Sequence, residues 1–341
     1  MSDWIPFTPD DAHDGVDPRI AGGRLTVDLD ALVVNYRLLQ REAAPARAAG
    51  VVKADGYGLG AVRVGKALWN AGCRTFFVAL PQEGIALRAA LPQADIFILN
   101  GTFGPEAAPA FAAHRLMPVL GSQADISCWE AFGWNDGGTP RPCAIHVDTG
   151  MNRLGLTPEE AHAFAADNAL TGALTPRLVM SHLACGDDAG HPLNRRQLES
   201  FQAVSRLFDG IESSLSNSAG IFLGPDFAFD LARPGIALYG GQPFDGGDNP
   251  MRAVATLEAR VVQVRRARAG ETASYGAHGV LSRDTVIAVV STGYADGYHR
   301  ASSFAGVPLR RAVPAGGHGF VHGRRVPVLG RVTMDLTLFD V

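Results

Sequence analysis

The chain lacks the residue patterns that mark several common classes of protein. Its four cysteines, Cys73, Cys128, Cys143 and Cys185, show no CxxC spacing. This usage fits buried thiols in a reducing compartment better than disulfides or a zinc site. Its ten histidines form no HExxH motif, so the sequence indicates no metal site. We therefore expect a cytoplasmic protein without a bound metal.

Long apolar runs and an excess of positive charge are also missing. No apolar run is long enough to span a membrane, and the net charge of −4 argues against a nucleic-acid-binding surface. The segment Met1–Pro6 has neither a basic region nor an apolar core, so we expect no secretory signal there. Residues 1–22 are rich in Asp, Pro and Gly and are predicted to form a loose N-terminal arm.

From residue 50 onward, the chain repeats a short apolar run, a loop and a stretch of helical periodicity. The apolar runs are Val51–Ala54, Thr75–Ala79, Ile96–Asn100, Leu116–Leu120, Cys143–Val147, Leu178–Leu183, Ser213–Asn217 and Phe227–Leu231. Eight such strand–helix units over about 190 residues predict an α/β fold, a parallel (β/α)8 barrel of the TIM type at residues 23–243. The repeated strand–helix pattern alone is also compatible with an open, doubly wound sheet, which is the alternative.

Two helices in this region carry start signals. Asp30 is the expected cap of the first helix, which follows a predicted strand at Leu25–Leu29. Thr157, followed by Pro158 and Glu160, forms a capping box at the start of a later helix.

After a linker rich in Gly and Pro near residues 240–250, the pattern changes to short β-rich runs separated by turn residues. The runs are Val261–Val264, Thr285–Val290, Val326–Leu329 and Leu336–Val341. Residues 244–341 are therefore predicted to form a second, smaller, all-β domain.

The stretch Val51–Gly60 joins the end of a predicted buried strand to a lysine and a glycine-rich loop. Burial at a strand end opposes the charge of Lys53 and lowers its pKa, which suits a nucleophilic amine. The glycines let the backbone approach a ligand closely. If this stretch is considered by itself, the alternative is that Lys53 is an ordinary surface lysine at a strand end.

Polar groups also follow the ends of other predicted strands, where the chemistry of barrels gathers. They belong to the segments His146–Arg153, Ser181–Ala184, Ser216–Ser218 and Arg233–Ile236. With Lys53 they supply an amine, guanidinium groups, an imidazole, hydroxyls and a glycine N–H. This set suits an anionic ligand with a phosphate and a carbonyl. Taken singly, each has an ordinary alternative, such as a surface ion pair or a hydrogen-bonded core histidine.

Seven motifs follow one another along the chain: VKADGYG (52–58), VDTGMNRLG (147–155), SHLA (181–184), RPGI (233–236), ASYG (273–276), GYADG (293–297) and GRVTMD (330–335). In this order they resemble the motifs of alanine racemases, which are pyridoxal-phosphate enzymes with a barrel and a β-rich C-terminal domain. The resemblance implies an isomerase that interconverts L- and D-alanine and supplies D-alanine for peptidoglycan.

The resemblance also implies how the cofactor is held. Lys53 would bind pyridoxal 5′-phosphate covalently, and its neutral amine would then act as one catalytic base. Tyr57, Ser218 and the N–H groups of Gly235 and Ile236 would hold the phosphate, since such donors suit a dianion.

Arg233 would face the pyridine nitrogen of the cofactor, and His182 would orient Arg233. An arginine does not give up its proton to the ring, so the ring nitrogen would stay unprotonated. This weakens the electron sink and should discourage side reactions such as transamination.

Racemisation needs a second base on the opposite face of the α-carbon, and the resemblance implies Tyr275. A phenol titrates near 10 when unperturbed, so nearby cations would have to favour its anion. Arg153 and the N–H of Met334 would hold the substrate carboxylate, and Tyr294 would line the entrance. In the family, Tyr275 and Met334 reach the barrel of a partner subunit, which implies a homodimer with shared sites.

The chain departs from the family pattern at two places. Many members have a carbamylated lysine at the position of His146, where it orients the substrate arginine, and a histidine lacks that anion. Relatives also continue beyond the position of Val341 with strands that include a tyrosine contacting the phosphate. We expect a chain without them to bind the cofactor less tightly or to expose a sheet edge, unless the sequence is simply a shortened form of the protein.

Three other functions are alternatives. A racemase for another small amino acid, such as serine, would use the same groups, and the sequence does not define the size of the substrate side chain. A non-catalytic pyridoxal-phosphate carrier would lack a β domain and a second base, so Tyr275 argues against it. A decarboxylase would place an acidic residue at the ring nitrogen, where this chain has Arg233.

Overall fold

The computed structural model describes Asp17 and residues 19–135, 141–304 and 316–341. The chain divides into two compact units. Val27–Ala255 is the barrel unit, and Met1–Thr26 with Thr256–Val341 is the C-terminal unit. The predicted arm at residues 1–22 lies mostly outside the described residues, and the predicted domain bounds stay a prediction.

The strands β1 to β10 are, in chain order, Gly23–Val27, Arg47–Ala48, Gly50–Val51, Thr75–Val78, Asp95–Ile98, Met117–Leu120, Arg141–His146, Leu174–Met180, Glu212–Ser214 and Leu231–Ala232. Strands β3 to β9 form one parallel sheet in sequential order, and β10 pairs in parallel with β2. Backbone hydrogen bonds from Asp230 to Ser213 and from Arg233 to Ser216 join β10 to β9. The strands thus close into a barrel, which confirms the predicted fold class.

The helices α1 to α7 are Leu29–Glu42, Ala61–Asn70, Pro81–Ala90, Ala108–Ala113, Gln123–Asn135, Pro158–Thr171 and Pro192–Ser205. The capping box of α6 is present, because the Thr157 hydroxyl accepts the Glu160 N–H at 3.1 Å and the Glu160 carboxylate accepts the Thr157 N–H at 2.8 Å. In the described part of the chain, no helix is long and apolar enough to cross a membrane.

Two local predictions in this unit are wrong. The cap of α1 is Asp28 rather than Asp30, because β1 ends at Val27 and the Asp28 carboxylate accepts the N–H of Ala31 at 2.8 Å. The run Phe227–Leu231 is not a strand along its length: a 3-10 turn occupies Pro225–Phe227 before β10 begins. Proline suits a turn better than a strand, since it has no N–H for a sheet ladder.

The barrel strands are apolar on both faces because their side chains alternate between the barrel interior and the helices. Phe77, Phe97 and Met117 belong to the inner cluster, whereas Phe76 and Ile96 pack in the outer cluster against the helices. This double burial explains why the strands appear in the sequence as continuous apolar runs.

The C-terminal unit is built from strands and 3-10 turns, as the β-rich pattern predicted. Its strands β11 to β18 are Ala255–Ala259, Val261–Ala267, Thr272–Ala273, Gly279–Val280, Thr285–Val290, His318–Val321, Arg324–Leu329 and Thr337–Asp340. Five of them form an antiparallel sheet in the order β12-β15-β18-β17-β16. Strand β11 pairs with β1, and β13 pairs with β14.

Candidate active site

The carboxyl ends of the barrel strands surround a cavity of about 540 Å³. The residues that the sequence predicted for a barrel site all line it: Lys53, Tyr57, His146, Arg153, His182, Ser218, Arg233, Gly235 and Ile236. Parallel strands end at the same rim of a barrel, so residues far apart in the sequence meet there.

The backbone after Lys53 makes a left-handed turn. Ala54, Asp55 and Tyr57 have φ values of 53°, 51° and 57°, and Gly56 between them has 63°. Left-handed geometry costs an L-residue about 1–2 kcal/mol, so this turn needs support from its surroundings.

Two carboxylates support the Lys53 turn. Oδ1 of Asp55 accepts the N–H of Ala61 at 2.8 Å, which fixes the turn to the start of α2. Oε1 of Glu83 accepts the N–H of Asp55 at 3.2 Å, and its Oε2 accepts the N–H groups of Ala79 and Leu80 at 2.9 and 3.0 Å. Glu83 was not predicted as a site residue, since its only sequence signal is its place in the first turn of α3.

Lys53 is partly buried, and the pKa of its amine lies below the ordinary value. Burial is the largest cause, the positive charge of Arg153 adds to it, and the negative charge of Glu83 opposes it. A lowered pKa leaves more neutral amine near pH 7, which suits attack on a carbonyl and proton transfer.

Removal of the Glu83 charge should make the Lys53 amine neutral at still lower pH. Glu83→Gln keeps one of the two accepting oxygens, so either the Asp55 N–H or the pair from Ala79 and Leu80 loses its acceptor. It also loses the charge that favours the protonated amine, so the pKa of Lys53 should fall further. We expect the pH midpoint for covalent capture of pyridoxal by the apoprotein to move downward. Glu159→Gln, on the exposed start of α6, is the matched control. An unmoved or raised midpoint in Glu83→Gln would contradict this electrostatic role.

Arg233 is a buried cation held by neutral acceptors. The residue is 4% exposed. Nη1 donates to the carbonyl of Ser214 at 2.8 Å and to its hydroxyl, and Nη2 donates to the carbonyl of Ser181. Burial, and then the charge of Arg153, lower the pKa of Arg233 to about 9. The guanidinium group therefore keeps its proton at neutral pH.

His182 lies between two N–H donors. Nη2 of Arg233 is 3.5 Å from Nδ1, and Nδ2 of Asn217 is 3.4 Å from Nε2. Burial, followed by the charges of Arg233 and Arg153, holds the pKa of His182 well below its usual value. A neutral imidazole has one accepting nitrogen, so only one of the two contacts is a hydrogen bond at a time. His182 therefore acts as an acceptor that orients its neighbours.

Ser218 and the 3-10 turn Ile236–Tyr239 form an amide cradle on one side of the cavity. The Ser218 hydroxyl accepts the N–H groups of Gly235 and Ala237 at 2.9 and 3.3 Å. A Cβ added at Gly235 would lie 2.2 Å from the hydroxyl of Tyr57, so only glycine leaves this space open. Burial raises the pKa of Tyr57, which keeps its hydroxyl a neutral donor. Hydroxyls and N–H groups around such a space fit a phosphate.

His146 and Arg153 line the same cavity. Burial, with the charges of Arg233 and Arg153, lowers the pKa of His146 to about 4, although Asp148 opposes the shift. The ring is therefore neutral at pH 7. Within the described ranges, the Arg153 guanidinium has no hydrogen-bond partner, and its side chain lines the cavity. Arg153 can thus offer its donors to a carboxylate, but His146 supplies no anion to orient it.

The three site residues predicted in the C-terminal unit lie in neighbouring loops. Tyr275, Tyr294 and Met334 are 72%, 42% and 58% exposed. The N–H of Ala295, which follows Tyr294, donates to the Met334 carbonyl at 2.9 Å. The Ser274 hydroxyl donates to the Arg331 carbonyl at 2.8 Å. Hydrogen bonds therefore hold the three loops together on this unit. Their contribution to the barrel cavity stays a prediction.

The fold and the cavity define a class of barrel enzymes that hold a phosphate-bearing carbonyl compound through a lysine. The chain matches the model described as alanine racemase, N-terminal domain, over residues 27–243, and the alanine racemase, C-terminal domain, over residues 254–341. It belongs to the alanine racemase family, as the seven motifs predicted.

Individual relatives support the same assignment. The chain is 53% identical to the alanine racemase of Rhizobium meliloti, over 94% of this chain and 84% of that protein. It is 52% identical to the biosynthetic alanine racemase of Agrobacterium fabrum, over 93% of this chain and 81% of that protein. The crystal structure of alanine racemase from Bartonella henselae, with covalently bound pyridoxal phosphate, has a TM-score of 0.83 at 38% identity; the match covers 94% of this chain and 86% of that one.

Proposed function

We propose that the protein interconverts L- and D-alanine with pyridoxal 5′-phosphate bound in the barrel cavity. The proposal rests on one observation. Lys53, Arg153, Arg233 and the amide cradle all line one cavity, and the chain that forms this cavity belongs to the alanine racemase family. We also propose that the product D-alanine serves peptidoglycan synthesis, and that the protein is cytoplasmic. Its four cysteines are all free, which is usual in a reducing compartment.

The residues of the cavity fit this cofactor. Lys53 would hold the aldehyde carbon through its amine nitrogen. Tyr57, Ser218 and the N–H groups of Gly235 and Ile236 would hold the phosphate, in the space that a side chain on residue 235 would fill. The Gly235 N–H donates to the Ser218 hydroxyl in the structure, so its one hydrogen would be shared between that hydroxyl and the phosphate. Bound pyridoxal phosphate withdraws electrons from the substrate's α-carbon and makes its hydrogen acidic.

Arg233 would control the ring nitrogen of the cofactor, with His182 orienting it. With a pKa of about 9, the guanidinium group holds its proton at neutral pH and offers the ring a hydrogen bond rather than a proton. A ring that stays unprotonated withdraws electrons less strongly, so we expect transamination to be slow relative to racemisation.

Two bases would act on opposite faces of the α-carbon. The Lys53 amine serves one face, and its lowered pKa keeps it available as a base. The Tyr275 phenol serves the other face, while Arg153 and the N–H of Met334 hold the substrate carboxylate and Tyr294 lines the entrance. With the carboxylate fixed, the substrate does not need to turn over between the two proton transfers.

We place Tyr275 and Met334 of one subunit in the site of a partner subunit of a homodimer. Ser274 has a φ of 66°, and this strained turn presents Tyr275 outward from the C-terminal unit. The edge strand β12 also exposes Val262 and Val264, at 54% and 62%. Exposed apolar side chains on a sheet edge are typical of a surface that another chain covers.

The proposed function is tested by incubating the loaded protein with L-alanine or L-serine and separating the enantiomers by chiral chromatography. We expect D-alanine to form, with serine reacting more slowly. Borohydride reduction should fix the pyridoxyl group on Lys53, and the chain's one other lysine, Lys66, should stay unlabelled. Lys53→Ala should lose both racemisation and label, whereas Lys66→Arg should keep both. Absence of D-alanine from protein labelled at Lys53 would contradict the proposal.

A further inference from the structure

Gln197, on α7, is a buried amide whose hydrogen bonds all go to the rim of the barrel cavity. Its side chain is 0% exposed. Oε1 accepts the N–H of Ala184 at 2.9 Å, and Nε2 donates to the carbonyl of His182 at 2.9 Å and to the hydroxyl of Thr149 at 3.3 Å. One amide therefore joins the segment of His182 to the loop that follows β7.

That loop, Asp148–Gly155, carries Arg153. Backbone hydrogen bonds of 2.8 Å to and from Leu156 close its base. Thr149, near the start of the loop, is attached to the neighbouring strand end, since its hydroxyl lies 2.7 Å from that of Ser181. Thr149 therefore attaches the start of this loop to the end of β8.

The same network reaches the buried arginine of the cavity. The carbonyl of Ser181 accepts a hydrogen bond from Nη2 of Arg233. Gln197, Thr149 and Ser181 thus link the loop that carries Arg153 to the support of Arg233, although Gln197 itself does not line the cavity.

Packing alone does not account for a glutamine at this position. The residues that α7 buries beside it include Leu198, Phe201 and Val204. A buried amide is unfavourable unless its donors and acceptors are paired, so an apolar residue would serve simple packing better. All three hydrogen bonds of Gln197 instead go to segments that carry cavity residues.

We propose that Gln197 is a positioning residue for the substrate carboxylate. It fixes the Arg153 loop relative to His182, so that the guanidinium group of Arg153 is set at a constant distance from the cofactor site. The inference rests on the proposed racemase function, because it assigns Arg153 to the carboxylate. The Gln197 side chain itself touches neither substrate nor cofactor.

Three variants separate the parts of this network. Gln197→Met has similar length and loses all three hydrogen bonds. Gln197→Glu keeps an oxygen that accepts the N–H of Ala184. It replaces the donor nitrogen with a second oxygen, which the carbonyl oxygen of His182 repels. Thr149→Val keeps the shape of a partly exposed side chain and removes only the bridging hydroxyl, so it tests the network even if the buried variants fail to fold. Gln202→Met, on the same helix, is the matched control.

Steady-state kinetics on the loaded enzyme should show a rise in KM for alanine. We expect about a 10- to 100-fold rise in Gln197→Met and Gln197→Glu, with kcat changed less than about threefold. Thr149→Val should raise KM in the same direction, and Gln202→Met should match the wild type. The bound cofactor should keep its absorbance spectrum, and amide hydrogen exchange at residues 147–156 should become faster in the variants.

Two outcomes would overturn the inference. One is that folded Gln197→Met and Thr149→Val have the KM and kcat of the wild type. The other is that these variants lose kcat or thermal stability while their KM stays unchanged. Calorimetric titration with propionate, which is alanine without its amine, gives a readout that does not need turnover. If the wild type forms no D-alanine, the proposed function fails. Weakened propionate binding in the variants would then still support the network, and unchanged binding would overturn it.

Discussion

Tyr275→Phe is expected to lower alanine racemisation by about 10²- to 10⁴-fold, the usual contribution of one general base. The phenyl ring keeps the shape of the side chain but cannot carry a proton. Lys53 is untouched by this change, so the cofactor should stay bound with its normal absorbance. The family resemblance implies that Lys53 removes the α-hydrogen of D-alanine and that Tyr275 removes that of L-alanine. In deuterated water, exchange of the α-hydrogen of D-alanine should therefore continue, while exchange from L-alanine should fall together with racemisation.

This unequal loss follows from the use of two different bases on two faces. A single base that returned the proton to the face it left would give exchange without inversion. Tyr298→Phe is the matched control, because Tyr298 lies in the same unit and donates its hydroxyl hydrogen to the carbonyl of His318 at 3.1 Å. Equal loss of exchange from both enantiomers in Tyr275→Phe, with cofactor still bound, would show that Tyr275 is not the second base.

Mixing two inactive variants should restore activity. Lys53→Ala chains lack the cofactor lysine, and Tyr275→Phe chains lack the second base. If each site combines Lys53 of one subunit with Tyr275 of its partner, a mixed dimer has one complete site and one with neither group. Random pairing of equal amounts should therefore recover about a quarter of the wild-type rate.

The mixed-dimer experiment needs proof that subunits have exchanged. Two affinity tags, one on each variant, allow the mixed dimer to be isolated before assay. Each variant remixed with itself should stay inactive. No recovery in isolated mixed dimers would contradict shared sites, and a protein that is a monomer in solution would contradict the dimer itself.

Much of the fold could be predicted because strand signals are local. The run Thr75–Ala79 predicted a strand, and β4 occupies Thr75–Val78. Prediction failed where two signals of the same kind lay close together. Both Asp28 and Asp30 suit a helix cap, and only the end of β1 decides between them.

The residues of the barrel site could also be predicted, since each follows a strand end and such ends meet at one rim. The contacts that support the site could not be predicted. The bond from Asp55 to Glu83 and those from Gln197 to Thr149 and His182 join segments far apart in the chain. An isolated glutamate or glutamine in an amphipathic helix gives no sequence signal for such a contact.

In the proposed reaction, one site removes the α-hydrogen of alanine on one face and returns a proton on the other. Its most direct test is incubation of the loaded wild-type protein with L-alanine in deuterated water, with mass spectrometry of the separated enantiomers. We predict that D-alanine forms and that it carries deuterium on the α-carbon from the earliest times. Deuterium entering L-alanine with no D-alanine formed, or D-alanine that keeps its original hydrogen throughout, would contradict this reaction.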